Sequence, residues 1–310
     1  MPADSRRRAK LALALATVYL VWGASFLFTK VGVTHLPPAL FAGARFSMAG
    51  LVLTLVARRW LGEPWPGTAR DYRLVAVCGV LMVFGSNGLS VWAMRFLPSH
   101  EVALLNGTSA LWIATLGALG RRGHRLTVAT IVSLALGFTG TALMLAPAAQ
   151  PQTRMLTAKL AVVTGCLAWS LGTVYYRNSG TRMAPLMFVG LQLIVGGALL
   201  LATGFATGEA SRWTLDLPGA ASLAYLTFVS SCFAYSAYGW LAVNTTPAVI
   251  GTYSFVNPTI ATFLGWRFLH ETMSRRQIAG MATVIAGLLL LTRSQAGRFG
   301  RRGGSEPGAG

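Results

Sequence analysis

Acidic residues are scarce in this sequence, which has 310 residues and only eight Asp or Glu. None of the eight lies in the middle of a long apolar run, and the four histidines lie in or beside predicted loops. Hydrolytic and metal-dependent chemistry needs acids, bases or ligands close together, and the sequence has no such cluster. It also has no G-x-x-x-x-G-K-[ST] loop for nucleotide phosphates. We therefore expect no catalytic residues, no metal and no cofactor.

Cysteine is equally rare. The three cysteines, Cys78, Cys166 and Cys232, all lie in apolar runs. Their spacing predicts neither a disulfide framework nor a metal site. We interpret them as small buried apolar side chains.

Charged residues make up only 11% of the chain, whereas 54% of the residues are hydrophobic. Soluble proteins average roughly a quarter charged residues, so this composition indicates a membrane protein. Apolar runs near or above ~18 residues can cross the membrane as helices. We predict an all-α membrane protein with ten transmembrane helices, at 11–29, 38–57, 74–94, 102–119, 127–146, 159–176, 185–206, 219–241, 248–269 and 277–292.

The net charge of +18 could suggest a nucleic-acid partner, but its distribution predicts none. The basic residues concentrate in the segments that would face the cytoplasm if the N-terminus does, as the positive-inside rule expects. We therefore predict a multi-pass cell-membrane protein with both termini in the cytoplasm. The basic segment 1–10 would be its cytoplasmic N-terminus, and 293–310 a disordered basic tail.

The second half of the sequence repeats the first about 147 residues later. An odd number of spans per repeat would invert the second copy in the membrane, as in secondary transporters. We predict two inverted five-helix repeats, at 11–146 and 159–292, joined by an outer loop at 147–158. The matching positions include Trp22 and Trp169, Pro38 and Pro185, Gly43 and Gly190, Gly50 and Gly197 and, with one residue of slippage, Trp92 and Trp240.

Arg45 is a charged residue within a predicted span. Such a residue costs roughly 2.5–3.5 kcal/mol on insertion scales, so it usually faces a cavity or a partner. Its guanidinium suits a substrate carboxylate. The alternative is a structural arginine that bonds to carbonyls or reaches outwards to the interface. Its repeat partner is Gln192, which is also polar and within a span, and this pairing favours an inward-facing role for both.

Three asparagines lie within predicted spans: Asn87, Asn106 and Asn257. They could line a substrate cavity or bond neighbouring helices together. Pro258 follows Asn257 and removes a backbone donor, so a helix break at this depth is expected, as found where a helix lines a cavity.

Aromatic residues supply a third signal. Trp22 and Trp169 lie well inside their spans, away from the interfacial belt, and Tyr235 and Tyr238 share one span. Aromatic walls, amide groups and one cation suit a mid-sized amphipathic solute such as an amino acid.

Only two carboxylates, Glu101 and Glu271, lie near span ends where they could exchange protons during transport. The sequence is equally compatible with proton coupling through one of them and with uncoupled facilitated diffusion.

Four segments carry a resemblance to a known family that covers residues 11–292. The chain resembles the EamA branch of the drug/metabolite transporter superfamily. The resemblance implies a ten-helix carrier of two inverted repeats that exports amino acids or other small metabolites. The segments are VYLVWGASFLFTKVG (18–32), LPPALFAGARFSMAGLVL (36–53), LAWSLGTVYY (167–176) and PAVIGTYSFVNPTIATFLGWRFLHETMSRRQIAGMATVIAGLLLL (247–291).

The resemblance also implies roles for particular residues. The family's second-helix arginine falls on Arg45, its ninth-helix proline on Pro258 and the turn after its ninth helix on His270-Glu271. We predict a role in gating or helix breaking for Pro258 and Glu271. The sequence departs from the family pattern at Gly123, where the first repeat often has Glu, and at Ala110, where Pro is common. The small multidrug members use a first-helix Glu that this chain lacks, so cationic drug export is disfavoured.

We predict an exporter of amino acids or similar small metabolites. The alternatives are a drug or quaternary-amine exporter and, less favoured, a membrane enzyme or sensor. The expected partners are a small-molecule substrate and membrane lipid. We expect a monomer, because two fused copies complete the internal symmetry, with a dimer as the alternative. The predicted substrate-binding residues are Trp22, Arg45, Asn87, Asn106, Trp169, Gln192, Tyr235, Tyr238 and Asn257.

Overall fold

A computed structural model describes residues 2–119, 128–145, 153–245 and 253–302. Within these ranges the chain is helical and contains no strands. The helices are α1 (Pro2–His35), α2 (Pro38–Arg59), α3 (Ala69–Ala93), α4 (Ser99–Gly107 and Ser109–Leu119), α5 (Val128–Leu145), α6 (Thr153–Asn178), α7 (Pro185–Ala206), α8 (Leu217–Ala224, Tyr225–Ala234 and Tyr235–Asn244), α9 (Tyr253–Leu269) and α10 (Arg275–Arg302), with a short 3-10 helix at Glu209–Arg212.

The all-helical prediction is confirmed, and every predicted span overlaps one of these helices. Six stretches within the described residues are long and apolar enough to cross a membrane. These stretches are Ala9–His35, Pro38–Arg59, Ala69–Ala93, Thr153–Asn178, Pro185–Ala206 and Leu217–Tyr238.

Several helices extend beyond the predicted spans. α1 begins at Pro2 within the basic N-terminal segment, and α6 begins at Thr153 within the predicted linker 147–158. α10 continues to Arg302, past the predicted end at 292. Hydropathy marks the thickness of the membrane, whereas Ala, Arg and Lys favour helix on either side of it.

The two third helices share a π-helical stretch that the sequence analysis did not predict. In α3 it covers Gly79–Asn87, and in α8 it covers Tyr225–Ala234. The ends of these stretches, Asn87 and Ala234, are 147 residues apart, the same offset as the sequence repeat. A π-helical stretch widens the helix and is frequent at functional sites.

The start of α2 and the start of α7 are each capped by a glutamate from the other half of the chain. Glu209 Oε2, after α7, accepts hydrogen bonds from the backbone N–H groups of Ala39 and Leu40 at 2.9 Å. Glu63 Oε2, after α2, accepts one from Met187 N–H at 2.8 Å. A carboxylate at a helix N-terminus satisfies free donors and matches the helix dipole. These bonds tie the two halves together.

α2 and α7 pack against each other through small residues at the centre of the fold. A methyl group at Gly50 would lie 2.7 Å from Ile194 N, and one at Gly197 would lie 2.6 Å from Ser47 N. Residues 47 and 194, like 50 and 197, are 147 apart, so the same contact occurs twice. The residue numbers of the contacts increase along α2 as they decrease along α7, so the two helices are antiparallel.

α5 and α10 repeat this arrangement. A methyl group at Gly140 would lie 2.8 Å from Val284 N, and one at Gly287 would lie 2.8 Å from Gly137 N. The offset between equivalent residues is again 147, and the helices are again antiparallel. Small residues are what allow helix backbones to approach this closely.

The other helices form two bundles of three. α1 packs against α8 and α9, and α6 packs against α3 and α4. We call these the α1 bundle and the α6 bundle. Each contains the first helix of one half and the third and fourth helices of the other, so the two bundles are equivalent. They meet where α9 and α1 contact α4.

Candidate transport site

Arg45 is buried in α2 and points at the π-helical stretch of α8. Its Nε donates to Ser231 Oγ at 3.1 Å, and its Nη2 to Ser230 Oγ at 3.3 Å. Its guanidinium lies 4.5 Å from the centroid of the Phe46 ring, and the residue is only 7% exposed. It therefore does not reach out to the interface. Two of its five N–H donors are used in these bonds, and a guanidinium can in addition pair with a carboxylate.

Trp22 reaches the same point from α1. Its Nε1 donates to the backbone carbonyl of Ser230 at 3.3 Å. The Ser25 and Ser230 hydroxyls are 2.7 Å apart. Side chains from α1 and α2 thus converge on Ser230. Ser230 was not among the predicted site residues, because its only signal in the sequence is a pair of small polar residues, 230 and 231, in an apolar run.

Trp22 also forms the centre of an aromatic box with three tyrosines. Its ring centroid lies 5.2 Å from that of Tyr235, 5.2 Å from that of Tyr238 and 5.4 Å from that of Tyr253. Tyr253 belongs to α9 and was not among the predicted site residues. The structure therefore brings together four of the nine predicted substrate-binding residues, in the α1 bundle and on the adjoining face of α2. These four are Trp22, Arg45, Tyr235 and Tyr238.

Two of the three asparagines make short-range bonds in the α6 bundle. Asn87 Nδ2 donates to the Met82 carbonyl at 2.8 Å, within the same π-helical stretch. Asn106 Oδ1 accepts from Ser90 Oγ at 3.3 Å, which connects α4 to α3. The Asn106 bond joins two helices, as in the helix-bonding alternative, whereas the Asn87 bond stays within α3. Asn257 is buried, and its Oδ1 has no hydrogen-bond partner among the described residues.

Pro258 does not break its helix, contrary to the expected break. α9 continues through Pro258 to Leu269. The break lies instead in α4, at Thr108. A methyl group at Gly107, beside this break, would lie 3.5 Å from Pro258 Cγ, so the proline packs against the point where α4 is interrupted.

The repeat partners of Trp22 and Arg45 lie apart from the aromatic box. Trp169 is half-buried in α6. Gln192 is buried in α7, and its Oε1 has no hydrogen-bond partner within the described ranges. α7 packs against the π-helical stretch of α3, as α2 packs against that of α8. The arrangement is thus equivalent, but only the Arg45 side carries a charge.

Glu271, the other predicted gating residue, caps the start of α4. Oε1 accepts from Ser99 N at 2.6 Å, and Oε2 accepts from Ser99 Oγ at 2.9 Å and from His100 N at 3.3 Å. Oε2 also lies 2.7 Å from His100 Nδ1. Burial raises the pKa of Glu271, but the hydrogen bonds from His100 and Ser99 outweigh it, and the pKa is lowered.

Residues 9–146 and 156–293 each match the model of the EamA-like transporter family. The chain belongs to this family. The EamA assignment covers nearly the whole chain and confirms the resemblance seen in the sequence.

Curated relatives of this EamA protein are named as transporters. "Uncharacterized transporter YvbV" of Bacillus subtilis is 27% identical, over 97% of this chain and 98% of the relative. "Uncharacterized inner membrane transporter YedA" of Escherichia coli is 28% identical, over 90% of this chain and 89% of the relative. "Probable amino-acid metabolite efflux pump" of Salmonella typhimurium is 26% identical, over 92% of this chain and 95% of the relative. With its apolar helices, this EamA chain is a multi-pass membrane protein of a transporter family.

A solved crystal structure shares the fold. It superposes with a TM-score of 0.65 at 21% sequence identity, and covers 93% of this chain and 99% of the other.

Proposed function

We propose that this protein is a secondary transporter that exports amino acids or related small metabolites. Access to the site alternates between the two sides of the membrane as the α1 and α6 bundles move against each other. The observation that carries the substrate class is the placing of a buried guanidinium, Arg45, next to the aromatic box. A zwitterion would bind with its carboxylate at Arg45 and its ammonium group or side chain against the rings.

The inverted architecture supports alternating access. Equivalent helices α2 and α7, and α5 and α10, pack antiparallel with a constant offset of 147 residues. Ten spans in two inverted repeats, 11–146 and 159–292, with both termini in the cytoplasm, account for these contacts. Transporters built this way hold their substrate near the midplane between the repeats. A monomer is sufficient, because both halves of the symmetric unit are in one chain.

Residues of the α6 bundle, together with Gln192 of the adjoining α7, would form the opposite wall of the substrate path. Trp169, Gln192, Asn87 and Asn106 are proposed to contact the solute less directly than Arg45 and the aromatic box. Asn257 and Gln192 are the strongest of the amide candidates, because their buried side-chain oxygens are unbonded within the described residues. The printed name of the Salmonella relative supports amino-acid metabolites as the class.

Export of a quaternary amine is the second candidate, and the aromatic box favours it. A cluster of aromatic rings suits a cation, since each ring face attracts positive charge. Arg45 opposes this candidate, because its guanidinium would repel a cation that has no carboxylate of its own.

Counterflow into proteoliposomes tests the two candidates directly. Purified protein is reconstituted with unlabelled amino acids, sugars or quaternary amines inside, with and without a pH gradient. Labelled uptake driven by amino acids alone supports the proposal, and uptake driven by amines alone replaces it with the second candidate. The response to the gradient distinguishes proton coupling from facilitated diffusion. No uptake with any compound would refute transport of these classes.

A further inference from the structure

We infer that Lys30 and Glu271 form a latch that holds the outer end of the transport path closed. Both belong to the α1 bundle or the turn after it, and both bind the α6 bundle. The inference rests on the proposed alternating access, in which the two bundles separate at one end at a time. We call these two side chains, together with their partners in the turn after α3 and at the start of α4, the outer latch.

The outer latch matches charge to helix ends. α3 ends and α4 begins on either side of the turn at residues 94–98. Lys30 Nζ donates to the carbonyls of Met94 at 2.6 Å and Leu97 at 2.9 Å, just past the end of α3. Carbonyls at a helix C-terminus attract a cation.

Glu271 makes the opposite match at the start of α4. Its carboxylate receives the Ser99 and His100 donors, at the positive end of the helix dipole. Opening the outer end would separate both charges from their partners at once.

An ion pair at the same end lies within the α6 bundle and can be compared with the outer latch, which joins the two bundles. Lys159 Nζ of α6 lies 2.6 Å from Glu101 Oε1 of α4. Both helices belong to the α6 bundle, so this pair does not cross the boundary. It would remain intact whichever end opens.

The sequence has no full counterpart of the latch at the cytoplasmic end. The repeat partner of Lys30 is Arg177, which keeps the cation, but the partner of Glu271 is Gly123. Ser99 and His100 correspond to Pro247 and Ala248. No carboxylate is present in 120–127 or 245–252. The sequence positions equivalent to Glu271 and its partners therefore supply no carboxylate at the cytoplasmic end, and the outer latch favours the conformation that is open to the cytoplasm.

Double electron–electron resonance across the outer end tests the latch. Spin labels are attached through R95C and T272C, two exposed turn positions, after replacement of Cys78, Cys166 and Cys232 by alanine. E271Q and K30M are compared with E101Q as the matched control. Each latch variant removes charge-assisted hydrogen bonds, so we expect the ratio of open to closed outer ends to rise by about tenfold or more.

The parent protein and E101Q should show one short distance between the two spin labels. E271Q and K30M should each show a longer distance in addition to the short one. Unchanged distances in both latch variants would refute the latch, as would an equal shift in E101Q. Counterflow on the same proteins separates this result from the proposed function. Amino-acid transport with unchanged distances removes only the latch, whereas opening without transport of any compound removes only the substrate class.

Discussion

The indole N–H of Trp22 donates to the backbone carbonyl of Ser230, which lies within the π-helical stretch of α8. A π-helical stretch disturbs the regular backbone hydrogen bonds and leaves carbonyls available to other donors. The indole bonds to a carbonyl of this stretch, and the bond holds the ring in the centre of the aromatic box. Helix irregularity and ring position are therefore linked by one bond.

Trp22→Phe should keep an aromatic ring but lose this bond. We expect the apparent unfolding temperature in detergent to fall by an amount that corresponds to about 1 kcal/mol. Trp112→Phe is the control, because the buried Trp112 Nε1 has no partner among the described residues. An equal fall in both variants would mean that ring size, rather than the hydrogen bond, determines the effect.

Arg45→Gln should weaken transport of carboxylated solutes while the protein still folds and inserts. The loss of a charge-assisted pair with the substrate predicts a rise in KM of about tenfold or more. Arg45→Lys keeps the charge but loses the planar fork, so an intermediate KM is expected. Counterflow with labelled amino acids gives these values. Unchanged KM in both variants would make Arg45 a structural residue that holds Ser230 and Ser231.

Gly50→Ala should destabilise the α2–α7 contact at the centre of the fold. The added methyl group would lie 2.7 Å from the backbone atoms Gly190 O and Ile194 N, which cannot move aside as a side chain could. Overpacking of this kind costs about 1–3 kcal/mol. Gly117→Ala is the matched helical control, since nothing lies within 4 Å of its added methyl group. Thermal unfolding of both variants in detergent checks the difference.

Glu209→Ala and Glu63→Ala should each lower stability by about 0.5–2 kcal/mol, the usual loss for a helix cap. We expect the larger loss for Glu209, because it accepts two backbone N–H bonds and Glu63 accepts one. Asp216→Asn is the control, because asparagine can also cap the start of α8 through its bond from Gly219. Denaturation curves of the three variants would show whether the order holds.

Acid should weaken the contact of Glu271 with α4. The pKa of Glu271 is lowered from its usual 4.5, so the folded state binds this proton less readily than the unfolded state. The stabilisation is therefore complete above about pH 4.5 and is lost as the pH falls through the lowered pKa. Glu271→Gln should reduce the dependence of unfolding temperature on pH in this acid range. An acid response identical to that of the parent would exclude this carboxylate as its source.

Much of the fold could be predicted because a membrane imposes simple rules. Apolar length located the helices, and the offset between Trp22 and Trp169 located the repeat. The π-helical stretches could not be predicted, because hydropathy does not depend on the backbone hydrogen-bond pattern. The helix break was assigned to Pro258 because proline lacks a donor, but the interruption lies in α4 at Thr108.

The site was partly predictable for a related reason. Arg45 and Trp22 are unusual within an apolar span, so their residue types alone draw attention to them. Ser230 and Tyr253 are ordinary in such a span, and their importance comes from contacts between distant helices. Asn87 and Asn106 look similar to Asn257 in sequence, yet their bonds to Met82 and Ser90 depend on local geometry.

The paired π-helical stretches also bear on the origin of the chain. A π-helical stretch is the structural trace of one additional residue in an α-helix. Gly79–Asn87 and Tyr225–Ala234 occupy equivalent places in the two halves. A single insertion in an ancestral half-length gene, before duplication and fusion, accounts for both.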